Sequence, residues 1–291
     1  MDLCHLLKEE SKNLYNTMKV AQELNIKLQE ETLTELMLIN LKSNIQKWGL
    51  NTVIKHCNKS DEFKTGTDFL WFVGSDKKKS WVAFYIQAKK LRENQKYFLK
   101  HNYKNTTGSK FTKQVDKLIH AAENIDLRDN IERSAIPIYC FYNFLNDETL
   151  KTADYLNNFP DIPKKKEELS FTYASAYHVK SLLHKPYPKR KGSTRNTFFF
   201  DELNGLPVYT LFCDKNTNQS WANGLLSTYK DVHHKLFGNI YSNFRFLLSD
   251  EKYILEELPP YVESLIKDSK DTLGNDDEKG LPSYIMVTYE D

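Results

Sequence analysis

Apolar residues at Leu3, Leu6, Leu7, Leu14, Met18, Ala21 and Leu24 recur at an approximately helical interval on an otherwise polar segment, which predicts one or two peripheral helices over residues 3–30. The next stretch, "EETLTELMLINLKSNIQKW", sets Leu33, Leu36, Met37, Leu41 and Ile45 on one face, so a core-packed helix is expected with Thr32 or Thr34 as its N-cap. Polar "GLNTVIKHCNKSDEFKTG" then reads as a connection holding a short edge strand around Val53–His56. Asp68–Val73 and Trp81–Gln87 are strand-like and the polar Gly74–Ser80 between them is turn chemistry, so the two form a β-hairpin. Phe111, Val115, Leu118, Ile119 and Ala122 predict an amphipathic helix, and "AIPIYCFYNFL" is a short continuous apolar run of the kind a buried strand requires.

Helix, hairpin, helix and buried strand define an α/β core with a mixed sheet flanked by helices. Beyond Leu150, "NNFPDIPKKKEELS" reads as a linker, "YASAYHVKSLLHK" as a helix, "PYPKRKGSTRN" as a basic loop, "GLPVYTLFCD" as another buried strand, and a helix follows Pro260. The expected organisation is a helical segment over 1–28, a core over 29–150, and a C-terminal α+β elaboration over 151–291 packed on that core.

Composition narrows the partners. With 41 basic against 39 acidic residues the net charge is only +2, so any nucleic-acid surface must be local. Hydrophobic residues make up 40% and aromatics 13%, far from the composition of disordered chains. Cys4, Cys57, Cys140 and Cys213 are widely separated and fit no zinc spacing; Cys140 and Cys213 sit in apolar runs as small hydrophobes, which predicts reduced thiols in a cytoplasmic protein. No run of about 18 apolar residues is present to span a bilayer, so membrane partners are not expected.

Chemistry concentrates in the hairpin. If its turn is symmetric about Lys77, Asp68 starts one strand beside the place where Gln87 ends the other, with Ile86 as its partner. Gln87 and Lys89 are one strand period apart and share a face. An acid, an amide oxygen and an amine then converge, which suits a hard divalent cation held by Asp68, the Gln87 carbonyl and the backbone of Ala88, with Lys89 stabilising negative charge on a phosphate. A further carboxylate is expected from the helix packed beneath: Glu31 and Glu35 at i and i+4 are candidates, Glu31 first.

The residues that make this arrangement also carry a likeness. Gly66-Thr67-Asp68, the hairpin, and Ile86-Gln87-Ala88-Lys89 resemble the G-x-D…(D/E/Q)-x-K core of restriction-endonuclease-fold nucleases, the PD-(D/E)XK superfamily, in the Mrr-like form where Gln replaces the usual acid. "EETLTE" at Glu30–Glu35, "DEFKTGTDF" at Asp61–Phe69, "IQAKKL" at Ile86–Leu91, Gln114 and "PIYCFYN" at Pro137–Asn143 are similar, in order and spacing, to a bacterial family of that superfamily. The resemblance implies a restriction-endonuclease-like fold and Mg²⁺- or Mn²⁺-dependent hydrolysis of phosphodiesters, DNA first and RNA as the alternative. Asp68, Gln87, Lys89 and Glu31 would be catalytic, and Asp68, Gln87, Glu31 and Glu35 metal-binding. A catalytically degenerate binder, a homo-oligomer, and a partner protein in an anti-phage defence system are also compatible with it. Thr67 stands where the family tends to have Ala and Leu70 where a carboxylate often follows; Glu62 is a source of compensating charge.

Candidate nucleic-acid contacts are Gln114, Lys90, Lys189 and Arg190, the last two in the basic loop. Lys77–Lys79 read as a soluble turn. "GSDKKKS" lacks the second Gly and the strand-to-helix turn of a phosphate-binding loop, and His233-His234 has no ligand at metal spacing, so neither is assigned a site.

Overall fold

The computed structural model describes residues 2–57, 65–99, 102–104, 111–123, 125, 133–184, 195–213, 219–238, 250–267 and 282–290. Helix α1, Leu3–Glu23, buries Leu3, Leu6, Leu7, Leu14, Met18 and Ala21 and is a single core element, not a peripheral one. Helix α2, Glu30–Trp48, follows. Its N-cap is Gln29, without a side-chain cap bond, so the expected Thr cap is corrected: Thr34 lies a turn inside, donating to the Glu30 carbonyl and accepting from the Tyr142 hydroxyl.

Strands β1 (Thr52–His56), β2 (Phe69–Ser75), β3 (Ser80–Lys90), β4 (Ile136–Tyr142), β5 (Phe171–Ser175), β6 (Leu206–Pro207) and β7 (Tyr284–Tyr289) form one mixed sheet in the order β1-β7-β2-β3-β4-β5-β6. β7 is antiparallel to β1 and parallel to β2; β2 and β3 form the antiparallel hairpin; β4 runs parallel to β3 and antiparallel to β5. The last strand of the chain therefore sits inside the sheet, beside the hairpin. Pro137 is accommodated within β4 because the β5 register starts only at Ile138, leaving its missing N–H outside that ladder.

Helices α3 (Gln114–Glu123), α4 (Ala176–His184), α5 (Trp221–Phe237) and α6 (Pro260–Lys267) complete the layers. β2 to β5 are buried almost throughout, as a sheet covered on both faces must be. Tyr142, level with Lys90, reaches α2, whereas Gln87, level with Tyr139, reaches α3; side-chain alternation thus puts the two helices on opposite faces. The fold is α/β, a mixed sheet flanked by helices.

Several C-terminal expectations change. The presumed linker is packed: Phe159, Ile162 and Leu169 are buried, and Asn143 bonds both the Leu169 carbonyl and Thr172. "YAS" belongs to β5, with the helix starting at Ala176. "VYTLF" forms a 3₁₀ helix instead of a strand, since only Leu206–Pro207 pair with β5. Cys4 and Cys213 are joined by a disulfide with Cα atoms 5.0 Å apart, against the expectation of reduced thiols, while Cys57 and Cys140 are buried thiols outside any disulfide. No helix among the described residues is long and apolar enough to cross a membrane.

Candidate metal and phosphate site

The hairpin turn is Asp76–Lys79, with Ser75 opposite Ser80, so the strand pairing is offset by one residue from a turn centred on Lys77 and ends with Phe69 facing Ile86. The Asp68 N–H donates to the Ile86 carbonyl at 2.9 Å and closes the ladder. Asp68 Oδ2 in turn accepts from the Ala88 N–H at 2.6 Å and from Gln87 Nε2 at 2.5 Å. A carboxylate held by backbone and side-chain donors loses rotamer freedom and is fixed in place.

Gln87, 1% exposed, also donates to the Ala88 carbonyl at 3.1 Å, and its Oε1 accepts from Gln114 Nε2 at 2.7 Å. The expectation that the Gln87 carbonyl faces Asp68 as a shared cation ligand is therefore corrected: the amide nitrogen faces Asp68, because the oxygen is taken by the helix amide. Gln114, 3% exposed, is part of this buried chain and so is a site residue rather than a surface contact. Gly66 makes room for it. Its φ is +67°, and a Cβ there would lie 2.8 Å from the Gln114 carbonyl oxygen.

Lys89 is brought to α2, but its partner is Glu30: Nζ donates to Glu30 Oε1 at 2.7 Å, and the Lys90 N–H donates to Oε2 at 3.0 Å. Glu30 was not among the expected residues. A signal for it exists in the buried stripe Thr34, Met37, Leu41 and Ile45, which continues back one turn to Glu30, whereas Glu31 lies a residue off it and is exposed. Glu31 and Glu35 nonetheless line the same narrow cleft, of about 30 Å³, with Glu30, Thr34, Asp68, Ser283 and Tyr284. Tyr284 donates to Glu35 Oε1 at 3.3 Å, so β7, not read from sequence as part of the site, supplies one wall.

The carboxylates leave a field. Burial first, and then the charge of Asp68, pushes the Cys140 thiol far up; burial likewise raises Tyr142 well above its ordinary range, opposed by its bond to Thr34 and reinforced by Cys140, Asp68 and Glu30. Hard oxygen donors around a cleft the size of a water or small ion, next to one ammonium, are chemically suited to a divalent cation and a phosphate. Among the described residues no three carboxylate, His or Cys groups are drawn together as a ready-made metal centre, so any cation bound there would be completed by water or substrate oxygens.

Lys90 is half-buried and donates to the Leu28 carbonyl at 2.7 Å, which ties the β3 end to the α1–α2 link; burial lowers its pKa, with Glu93 opposing. Lys189, Arg190 and Glu62 lie outside the described residues. Lys78 pairs with Glu290, and His233 packs between Tyr229 and Phe237, its pKa driven down to about 3 by burial and then by His178.

No curated protein matches the chain significantly. A family model does, described as "Family of unknown function (DUF6615)" and covering residues 3–290, so that strands β1 to β7 and the whole cleft fall within it. By that match the chain belongs to the DUF6615 family.

Proposed function

We propose that the protein is a divalent-metal-dependent nuclease that hydrolyses phosphodiester bonds in nucleic acid, DNA first and RNA as the alternative, at the cleft between the β2–β3 hairpin end and α2. The observation that carries this reading is the convergence at the hairpin end: Asp68 is bonded to Gln87 and to the Ala88 N–H, Lys89 reaches Glu30, and three glutamates of α2 line the same cleft as Asp68. The likeness to restriction-endonuclease-fold nucleases supports it on the same residues.

Asp68, with Glu30, Glu31 and Glu35 around it, would hold Mg²⁺ or Mn²⁺; when bound, the cation supplies Lewis-acid polarisation of the phosphate and acidifies water. Asp68 is oriented by the Ala88 N–H. Lys89 presents a single ammonium at the cleft edge, where it stabilises charge developing on the phosphate oxygens; its pairing with Glu30 fixes that position before substrate arrives. Gln114 fixes the rotamer of Gln87, and so the wall against which Asp68 is held.

The Gln87 nitrogen on Asp68 favours a second reading, nucleic-acid or partner binding without cleavage. Purified protein incubated with plasmid, linear duplex, single-stranded DNA and RNA, with Mg²⁺, Mn²⁺ or chelator, separates the two. Metal-dependent cutting lost in Asp68→Ala and Lys89→Ala is expected; binding with no cutting under any metal supports the second reading instead.

A further inference from the structure

Directly after β3 the chain turns back, the Arg92 N–H bonding the Lys96 carbonyl, and enters a two-stranded ribbon in which Tyr97 pairs with Phe198 and Phe98 with Thr197. Alternation sends Tyr97 and Phe198, 0% and 2% exposed, into the core. The opposite face carries Phe98 and Phe199, 38% and 40% exposed, and one step along the register Lys96 falls against Phe199. Two outward phenylalanines on so short a ribbon keep apolar area in water that burial elsewhere in this chain removes.

Each ring is flanked by a cation. The Arg92 guanidinium lies 4.9 Å from the Phe98 centroid, Lys96 Nζ 4.7 Å from that of Phe199, and Arg195 lies 5.0 Å from Phe198 and 5.9 Å from Phe199. Arg195 is clamped by both oxygens of Glu202, one of which also accepts the Phe199 N–H at 2.8 Å, so the cation and the ring are held in one arrangement. Arg92 further lines a groove of about 300 Å³ with Lys27, Lys90 and Glu93, which continues to the β3 end. From Lys89 to Arg92 the chain spans at most about 11 Å, so the ribbon and the cleft are served by one stretch of backbone.

We propose that the Phe98–Phe199 face is a stacking platform for single-stranded nucleic acid, with bases on the two rings and the phosphate backbone along Arg92, Lys96 and Arg195. The ligand class rests on the nuclease reading. Exposed rings interleaved with cations match what strand binding requires, because every base has a face to stack and every nucleotide a phosphate to neutralise. A duplex hides those faces and gains little from the rings.

The test uses the full chain carrying Lys89→Ala, so that substrate survives, in fluorescence polarisation with a labelled oligothymidylate and with a duplex of equal length. Adding Phe98→Ala or Phe199→Ala is expected to weaken single-strand binding about 5- to 100-fold per ring while duplex affinity moves less than about twofold. Phe98→Tyr and Phe199→Trp, which keep a flat ring, retain binding, and an unchanged melting temperature shows that each variant is folded. Unchanged single-strand affinity in both Ala variants, equal loss for duplex and strand, or a change only in self-association overturns the platform. Wild-type cleavage is scored separately: cutting with no dependence on the rings overturns the platform and keeps the nuclease, whereas ring-dependent binding with no cutting does the reverse.

Discussion

Replacing Gln87 by Glu probes the cation site without using catalysis. The wild-type amide, 1% exposed, donates to Asp68 Oδ2 at 2.5 Å, and the substitution removes that donor and sets two carboxylates side by side. At a separation of about 4 Å and an effective dielectric constant of about 20, two like charges repel by about 4 kcal/mol. That equals about three pKa units, so the pair should retain one shared proton from about pH 4 up to about pH 7. In this window the folded variant binds more protons than its unfolded chain, and its stability falls as pH rises. A divalent cation replaces the proton. Thermal melts of wild type and Gln87→Glu at about pH 5 and about pH 8, with and without Mn²⁺, read the effect: the variant should lose roughly 6–10 °C at the higher pH and recover most of it with Mn²⁺. A variant whose melting temperature ignores Mn²⁺ at the higher pH would refute the cleft as a cation site.

Other consequences are structural. Gly66→Ala, which combines a φ of +67° with a 2.8 Å approach to the Gln114 carbonyl, should cost at least about 2 kcal/mol in urea unfolding, whereas Gly49→Ala, at φ +68° with nothing within 4 Å, should cost only about 1 kcal/mol; equal losses would mean Gln114 is not confined by Gly66. Glu10, buried in α1, is pushed from 4.5 up to about 7 by desolvation against bonds from Asn40 and Asn13, so its raised pKa makes the protein lose about 3 kcal/mol as pH climbs from about 4.5 to about 7. Glu10→Gln should flatten that slope and be the more stable form at about pH 8, as denaturation at two pH values will show. Cys4→Ser, by opening the link to Cys213, should lower stability by about 2–4 kcal/mol under non-reducing conditions, and reductant should bring wild type to the same level.

What could be read from sequence follows from how local each signal is. The hairpin, α2 and β4 are marked by period and by turn chemistry within a dozen residues and appear where expected, as does α3 from Gln114 on, whereas Phe111, expected on that helix, lies in a short strand over Phe111–Lys113. A carboxylate from α2 near the hairpin end is legible in the sequence, but choosing Glu30 over Glu31 needs the rotation of that helix, which Thr34 reveals only through its bond to Tyr142, a residue 108 positions away. The Gln87 orientation depends on Gln114, and Gln114 on Gly66; no pattern within either strand encodes such a chain. β7 closes the cleft across 216 positions from Asp68 to Tyr284, and its apolar run is too short to name its neighbours. The 3₁₀ turn at Val208–Phe212 and the Cys4–Cys213 bond are likewise set by tertiary packing against α1, beyond the reach of propensity.

The most direct test of the account is the rate of Mn²⁺-dependent cleavage of a labelled DNA strand by wild type and by Lys89→Ala, with Mn²⁺ binding measured on both proteins so that they are compared at equal metal occupancy. Lys89 is assigned to the phosphate and not to the cation, so the account predicts comparable Mn²⁺ binding and a cleavage rate at least about 100-fold lower in the variant. Equal cleavage by the two proteins would contradict it.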